Sequence, residues 1–165
     1  MLSRLLRRRP VPQVVRDVAL EPGERRRAWG VTTAGDPVVA TDLGIHLPRT
    51  PRLDWADVER ATWRRPVLVI SRVARVDGTG SRWELELAEE ADLADVVRSA
   101  VTASVAWTNH VRLQPRGGVR IVGRRRPAQD ALDWQLVFDN GTDPDDPAVA
   151  EQADGLLQQA RRTIG

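Results

Sequence analysis

From Arg27 onward the apolar residues recur at every second position, in short runs broken by turn residues, which is the signature of half-buried strands. Residues 27–33 carry Trp29 and Val31 in alternation, residues 38–41 are rich in β-branched residues, and Ile45 and Leu47 alternate with His46 on the other side. Residues 57–63 place Ala61 and Trp63 on one face. Residues 67–71 read as a continuous apolar run, the pattern of a strand buried on both faces or nearly so. Residues 82–88 put Trp83, Leu85 and Leu87 inward and Arg82, Glu84 and Glu86 outward. Between these runs lie Glu21-Pro22-Gly23-Glu24, Ala34-Gly35-Asp36-Pro37, Asp42-Leu43-Gly44, Arg64-Arg65-Pro66 and Asp77-Gly78-Thr79-Gly80, all turn chemistry.

The period then changes. Leu93, Val96, Val97, Ala100, Val101, Ser104 and Val105 recur at helical spacing, with Glu89, Glu90 and Asp92 in the expected first turn. This predicts a helix over about 90–104 whose apolar face covers the preceding sheet. Three further strands follow. Trp107, Asn109, Val111 and Leu113 share one face of the first, Val119 and Ile121 mark the second, and Leu132, Trp134, Leu136 and Phe138 mark the third. Asp143-Pro144 and Asp146-Pro147 are nested start signals for a last helix, with Val149, Ala153, Leu156, Leu157, Ala160 and Ile164 as its stripe. Gly155 interrupts that helix at a cost of about 1 kcal/mol, which close packing on the sheet would explain.

The fold class is therefore α+β. Residues 1–20 read as a basic flexible tail, 21–105 as a strand-rich domain with a closing helix, and 106–165 as a three-stranded sheet plus a C-terminal helix packed on or beside it. The 165 residues suffice for one ordinary domain or two small ones sharing a core.

Composition narrows the chemistry. Cysteine is absent, which removes disulfides, thiolate nucleophiles and cysteine-bound zinc. Tyrosine is absent and every Lys-or-Arg position is arginine, which removes Schiff-base chemistry and a phosphate-loop lysine. The net charge is only +2, so an isoelectric point of about 10.6 reflects arginine's reluctance to deprotonate, not a strongly basic surface. The charge is polarised along the chain: residues 1–27 carry +5 and residues 139–165 carry −4.

The candidate binding residues follow from pairing the three late strands antiparallel in order. One face then collects His110, Arg112, Arg120 and Arg124, with Arg125 and Arg126 at the rim. Clustered guanidinium groups can fork onto phosphate or carboxylate. The opposing reading is a solvated face neutralised by Asp133 and Asp139. At the N-terminus Arg4, Arg7, Arg8 and Arg9 flank Leu2, Leu5 and Leu6, a pattern that can rest on an anionic membrane surface, although Pro10 and Pro12 stop any helix there. The opposing reading is a solvated tail. Trp29, Trp83 and Trp134 alternate with core positions, whereas Trp55 and Trp63 flank a turn-rich region. The oxygen-rich run 139–146 lacks the spacing of a calcium loop and reads as turn and caps. His46 and His110 give no metal spacing, and no serine sits in a nucleophile elbow. No cofactor is expected.

Gly23-Glu24-Arg25, Trp29, the Val38-Val39-Ala40-Thr41-Asp42 strand and turn, Trp55, Trp63 and the helix from Glu90 together resemble a pleckstrin-homology-like (PH-like) domain, over residues 22–105. The same layout is similar to that of an uncharacterised actinobacterial protein family, and exclusive use of arginine resembles the coding bias of such genomes. The resemblance implies a partly open antiparallel β-barrel capped by a helix, here followed by a β-β-β-α extension. It implies a non-catalytic binding or adaptor module in the cytoplasm, at the inner membrane face if the tail engages lipid. The partner expected is a protein or an anionic surface. The loop 34–37 carries an acid and no base, a departure from the lipid-binding pattern. Two other readings stay open: nucleic-acid binding through the arginine face, and an enzyme using carboxylate chemistry.

Overall fold

The computed structural model describes residues 9–73, 80–127 and 129–164. The chain divides into two units, residues 1–100 and 101–165.

The first unit is a seven-stranded antiparallel sheet in the order β4-β3-β2-β1-β7-β6-β5, barrel-like and nearly closed. Its strands are β1 (Arg26–Thr32), β2 (Pro37–Thr41), β3 (Gly44–His46), β4 (Leu53–Asp54), β5 (Val58–Arg64), β6 (Val67–Arg72) and β7 (Arg82–Ala91). A single 3-10 turn, Trp55–Asp57, separates β4 from β5. β7 holds the sheet together because its first half pairs with β6 and its second half with β1. Irregularities in register at Arg26/Ala28 and Val31/Thr32 give β1 the local bend that a curled sheet needs.

The alternation seen in the sequence is what buries the core. Leu85 and Leu87 of β7 turn inward, and so do Leu68 and Ile70 of β6. Val67 and Val69 are half-buried, so β6 is buried on one face and partly covered on the other. Trp29 and Trp55 are buried. Trp83 and Trp63 are half-buried.

Two expectations are corrected here. The segment read as a tail to residue 20 contributes to the core: α1 (Gln13–Arg16) seats a fully buried Val15 against Trp29 and Val39, with Val11, Val14 and Val18 around them. The closing helix also starts later than expected. Glu89 and Glu90 are still strand, paired with Val31 and Gly30. Asp92 then takes a left-handed φ of 57°, a conformation that Asp tolerates better than most residues. α2 (Leu93–Ser104) begins beyond it, with the Leu93 N–H donating to the Glu90 carboxylate at 2.9 Å. Leu93 packs so closely on β1 that a Cβ at Gly30 would lie 2.9 Å from it. The expected hairpin loop 77–80 lies mostly outside the described residues.

The second unit contains the end of α2 and then β8 (Val105–Arg112), β9 (Gly118–Arg124), β10 (Asp133–Phe138) and α3 (Pro147–Ile164). The strands pair antiparallel in sequence order. Asp146 caps α3 by accepting the Ala148 N–H at 2.9 Å, with Pro147 at the first helical position. Val149, Ala153 and Leu156 of α3 pack with Val119, Leu136 and Phe138 of the sheet. Trp107 and Trp134 lie in register on either side of Gly123, their rings 5.6 Å apart and edge-on. Gly155 is exposed, with nothing within 4 Å of where a Cβ would be, so the expected close packing does not account for it.

Candidate functional site

The face of the second sheet opposite α3 carries the arginines singled out in the sequence. Register places His110 beside Arg120, Arg112 beside Gly118, Thr108 beside Val122, and Arg124 beside Asp133. This face has two unlike ends. At one end Val122, Arg124 and Gln135 are buried. At the other His110, Arg112 and Arg120 are exposed.

Arg124 therefore does not share the open surface with Arg120, which corrects the even cationic face expected. Its Nε donates to Gln135 Oε1 at 3.0 Å and its Nη1 to Ser104 Oγ at 2.7 Å. A buried guanidinium needs such acceptors because it cannot shed its proton. Arg126 donates from Nε and Nη2 to Asp133, at 3.0 and 2.7 Å. The Arg125 side chain is exposed while its N–H donates to the Ser104 carbonyl. His110 Nε2 lies 2.8 Å from Asp139 Oδ2. The neutralising role foreseen for Asp133 and Asp139 thus falls on Arg126 and His110.

The side chains of Arg112 and Arg120 form no hydrogen bond or ion pair among the described residues, and neither does that of Arg116 at the hairpin tip. Arg112 and Arg120 are diagonal neighbours on one face, within reach of a single planar anion. The loop after β10 fixes their surroundings. The Gly118 N–H donates to Thr142 Oγ1 at 3.1 Å, and a Cβ on Gly118 would collide with the Asp139 carboxylate. The glycine pair of the hairpin thus lets that loop close over it and holds Asp139 against His110. Of the tail residues, Arg4, Arg7 and Arg8 lie outside the described residues. Arg9 is exposed, and its Nη1 reaches the Glu90 carbonyl at 3.5 Å beside a surface hollow of about 290 Å³ walled by Trp63, Arg65 and Leu87.

A second polar cluster, in the first unit, has no counterpart in the sequence reading. The Glu24 side chain is fully buried. Its carboxylate accepts the Thr41 hydroxyl at 2.6 Å and the Glu21 N–H at 2.8 Å, and faces His46 Nε2 at 2.8 Å and Arg52 Nη1 at 3.3 Å. Burial alone would raise its pKa. The hydrogen bonds from Thr41 and the Glu21 N–H, with the bond and charge of His46, outweigh burial and push it down to about 2. Arg52 is partly desolvated, which opposes its charge, yet its bonds to Glu21 and Asp54 raise its pKa above the ordinary value. Trp55 closes the cluster by donating its indole N–H to the Thr41 carbonyl at 3.0 Å. The sequence signal was thin: a glutamate after Pro-Gly reads as a solvated turn.

In chemical terms the second unit offers free guanidinium groups beside a His–Asp pair. Ser104, the one serine of that unit, donates to the Val101 carbonyl and accepts from Arg124. Among the described residues no group of three His, Asp or Glu is arranged to hold a metal ion. No described helix is long and apolar enough to cross a membrane. Comparison with protein-family models, with curated proteins and with solved structures finds no match to this chain.

Proposed function

We propose that the chain is a non-catalytic binding module whose second unit engages an anionic partner through Arg112 and Arg120. The observation that carries the reading is the contrast among arginines. Arg52, Arg124 and Arg126 are matched to acceptors of this chain, whereas Arg112 and Arg120 stand exposed on one face without any among the described residues. Two cations held as neighbours by strand register, next to an already occupied His–Asp pair, suit a carboxylate or phosphate group. The same proposal reads the first unit as PH-like, supported by its seven-strand meander closing β1 on β7 and leading into α2.

The test is the binding of fluorescent polyglutamate to the whole protein and to Arg112→Ala/Arg120→Ala. Loss of two charge-assisted contacts is expected to weaken binding by about tenfold or more, with a melting temperature close to that of the parent. Equal affinity in the two proteins would sink the reading. Stronger binding to single-stranded DNA than to polyglutamate would favour the nucleic-acid alternative.

A further inference from the structure

The hydrogen-bond phase of β8 can be read from its end. The Leu113 N–H donates to the Gly117 carbonyl at 3.0 Å, and the pairs from Arg112↔Gly118 to Trp107↔Gly123 continue that register. Bonded and non-bonded pairs alternate in an antiparallel ladder, so Val111, Asn109 and Trp107 bond to β9. Thr108, His110 and Arg112 then direct their N–H and C=O groups away from β9, toward the outer edge of the sheet. Among the described residues no strand pairs with that edge, because the sheet order ends at β8. Among the described residues no side chain or loop supplies a partner to these groups.

The next residue in the outward series shows what such groups accept. At Gln114 the side-chain amide of Gln152 from α3 takes the place of a neighbouring strand. Its oxygen accepts the Gln114 N–H at 2.9 Å and its nitrogen donates to the Gln114 carbonyl at 2.8 Å. The edge is thus capped at Gln114 and open from Arg112 back to Thr108, where Thr108, Asn109 and His110 are all exposed. At eight residues β8 is the longer of this sheet's two edge strands. An uncapped edge of that length is a template for strand addition.

The same three outward-bonding residues carry their side chains on the cationic face, since Thr108, His110 and Arg112 share one side of the pleat with Arg120. An antiparallel strand added there would set alternate side chains directly across from Thr108, His110 and Arg112. We infer that β8 is the docking edge for an extended acidic peptide segment of another protein, which adds as a fourth strand and brings carboxylates to Arg112 and Arg120. This rests on the arginine reading above and specifies its partner. A second copy of this chain is the poorer occupant. Pairing β8 with itself brings the unmatched Arg112 and Arg120 groups of two copies onto one continuous face, and like charges there repel.

Strand addition makes a demand that charge attraction alone does not: the partner's backbone must bond to β8. The probe is a ten-residue peptide of alternating Glu and Thr, measured by fluorescence anisotropy against the whole protein. In the antiparallel arrangement the Glu amides face β8 and the Thr amides face away. Methylating the Glu nitrogens should weaken binding by about tenfold or more, while methylating the Thr nitrogens should leave it within about twofold. Thr108→Pro, which removes one outward N–H at an edge position where proline is tolerated, should weaken the parent peptide with little change in melting temperature. The methylated peptides test the same point should that variant not fold. If neither methylation matters but Arg112→Ala/Arg120→Ala still weakens binding, strand addition is wrong and the arginine reading stands. If that double variant binds like the parent, the arginine reading falls as well. No binding of the parent peptide at millimolar concentration overturns the proposal. So does sedimentation showing a dimer that Thr108→Pro abolishes.

Discussion

At the scale of single residues the first unit turns on Glu24. Its side chain is fully buried and faces a histidine, an arginine, a hydroxyl and a backbone N–H. Its pKa in the folded protein is about 2, against an ordinary value of 4.5. A depressed folded-state pKa means stability that is fully present above about 4.5 and is lost as pH falls from there toward 2. The shift corresponds to about 3 kcal/mol. Glu24→Gln keeps the volume and removes the charge, leaving Arg52 and His46 without their shared carboxylate. We expect it to cost about 3 kcal/mol at pH 7 and much less at pH 2.5, where the parent has lost most of the same contribution. Urea unfolding at both pH values measures this, and an equal cost at both would show that the charge is not what Glu24 supplies. None of this could be read in the sequence. Burial of a charge depends on which distant residues converge on it, and Thr41, His46 and Arg52 reach Glu24 only through the β2–β3–β4 meander.

At the scale of elements the sequence was most legible where a strict period ran for several residues. Leu85 and Leu87 on β7, and the Asp146-Pro147 start of α3, fall where alternation and capping chemistry place them. Legibility failed where an element was too short to show a period. α1 is one helical turn, and four residues are too few to show a helical period. It is nonetheless part of the core, so Val15→Ala should destabilise the protein by about 2 kcal/mol, as expected for emptying a filled site. A chemical-denaturation midpoint unchanged from the parent would mean that the segment contributes nothing. Gly155 makes the opposite case. It occupies an exposed interior position of α3 with open space where a side chain would go. Gly155→Ala should therefore raise stability by about 1 kcal/mol through helix propensity alone. A loss of stability at that position would mean that some contact needs the glycine. The candidate site was half legible for the same kind of reason. Antiparallel pairing in order puts His110, Arg112, Arg120 and Arg124 on one side of the pleat, but the pleat says only which side a residue takes, not whether that side is open. Arg124 shares parity with Arg120 and is buried.

At the scale of the whole molecule, charge constrains which anion the arginines can serve. The chain carries only +2, and residues 101–165 hold eight arginines against eight acids. Such a unit has little long-range field with which to gather a polyanion, so its own attraction rests on exposed cations such as those at the β8–β9 hairpin. Arg112 and Arg120, with Arg116 at the tip, supply two or three contacts. For single-stranded DNA that number sets the slope of log affinity against log salt between about −1.4 and −2.1, since each neutralised phosphate contributes roughly −0.7. A nucleic-acid interface built on many phosphate contacts would give a far steeper slope. Binding to a single-stranded oligonucleotide, followed from low to physiological salt, should therefore be weak and shallow in its salt dependence. A slope near −6 would demand more cations than the hairpin presents and would overturn the assignment of the site to Arg112 and Arg120. The acidic peptide proposed for β8 escapes this limit because most of its bonds would be made by backbone groups, which ions do not screen. Its affinity should survive salt concentrations that release the oligonucleotide, and the two titrations run side by side distinguish a strand-adding partner from a polyanion held by charge.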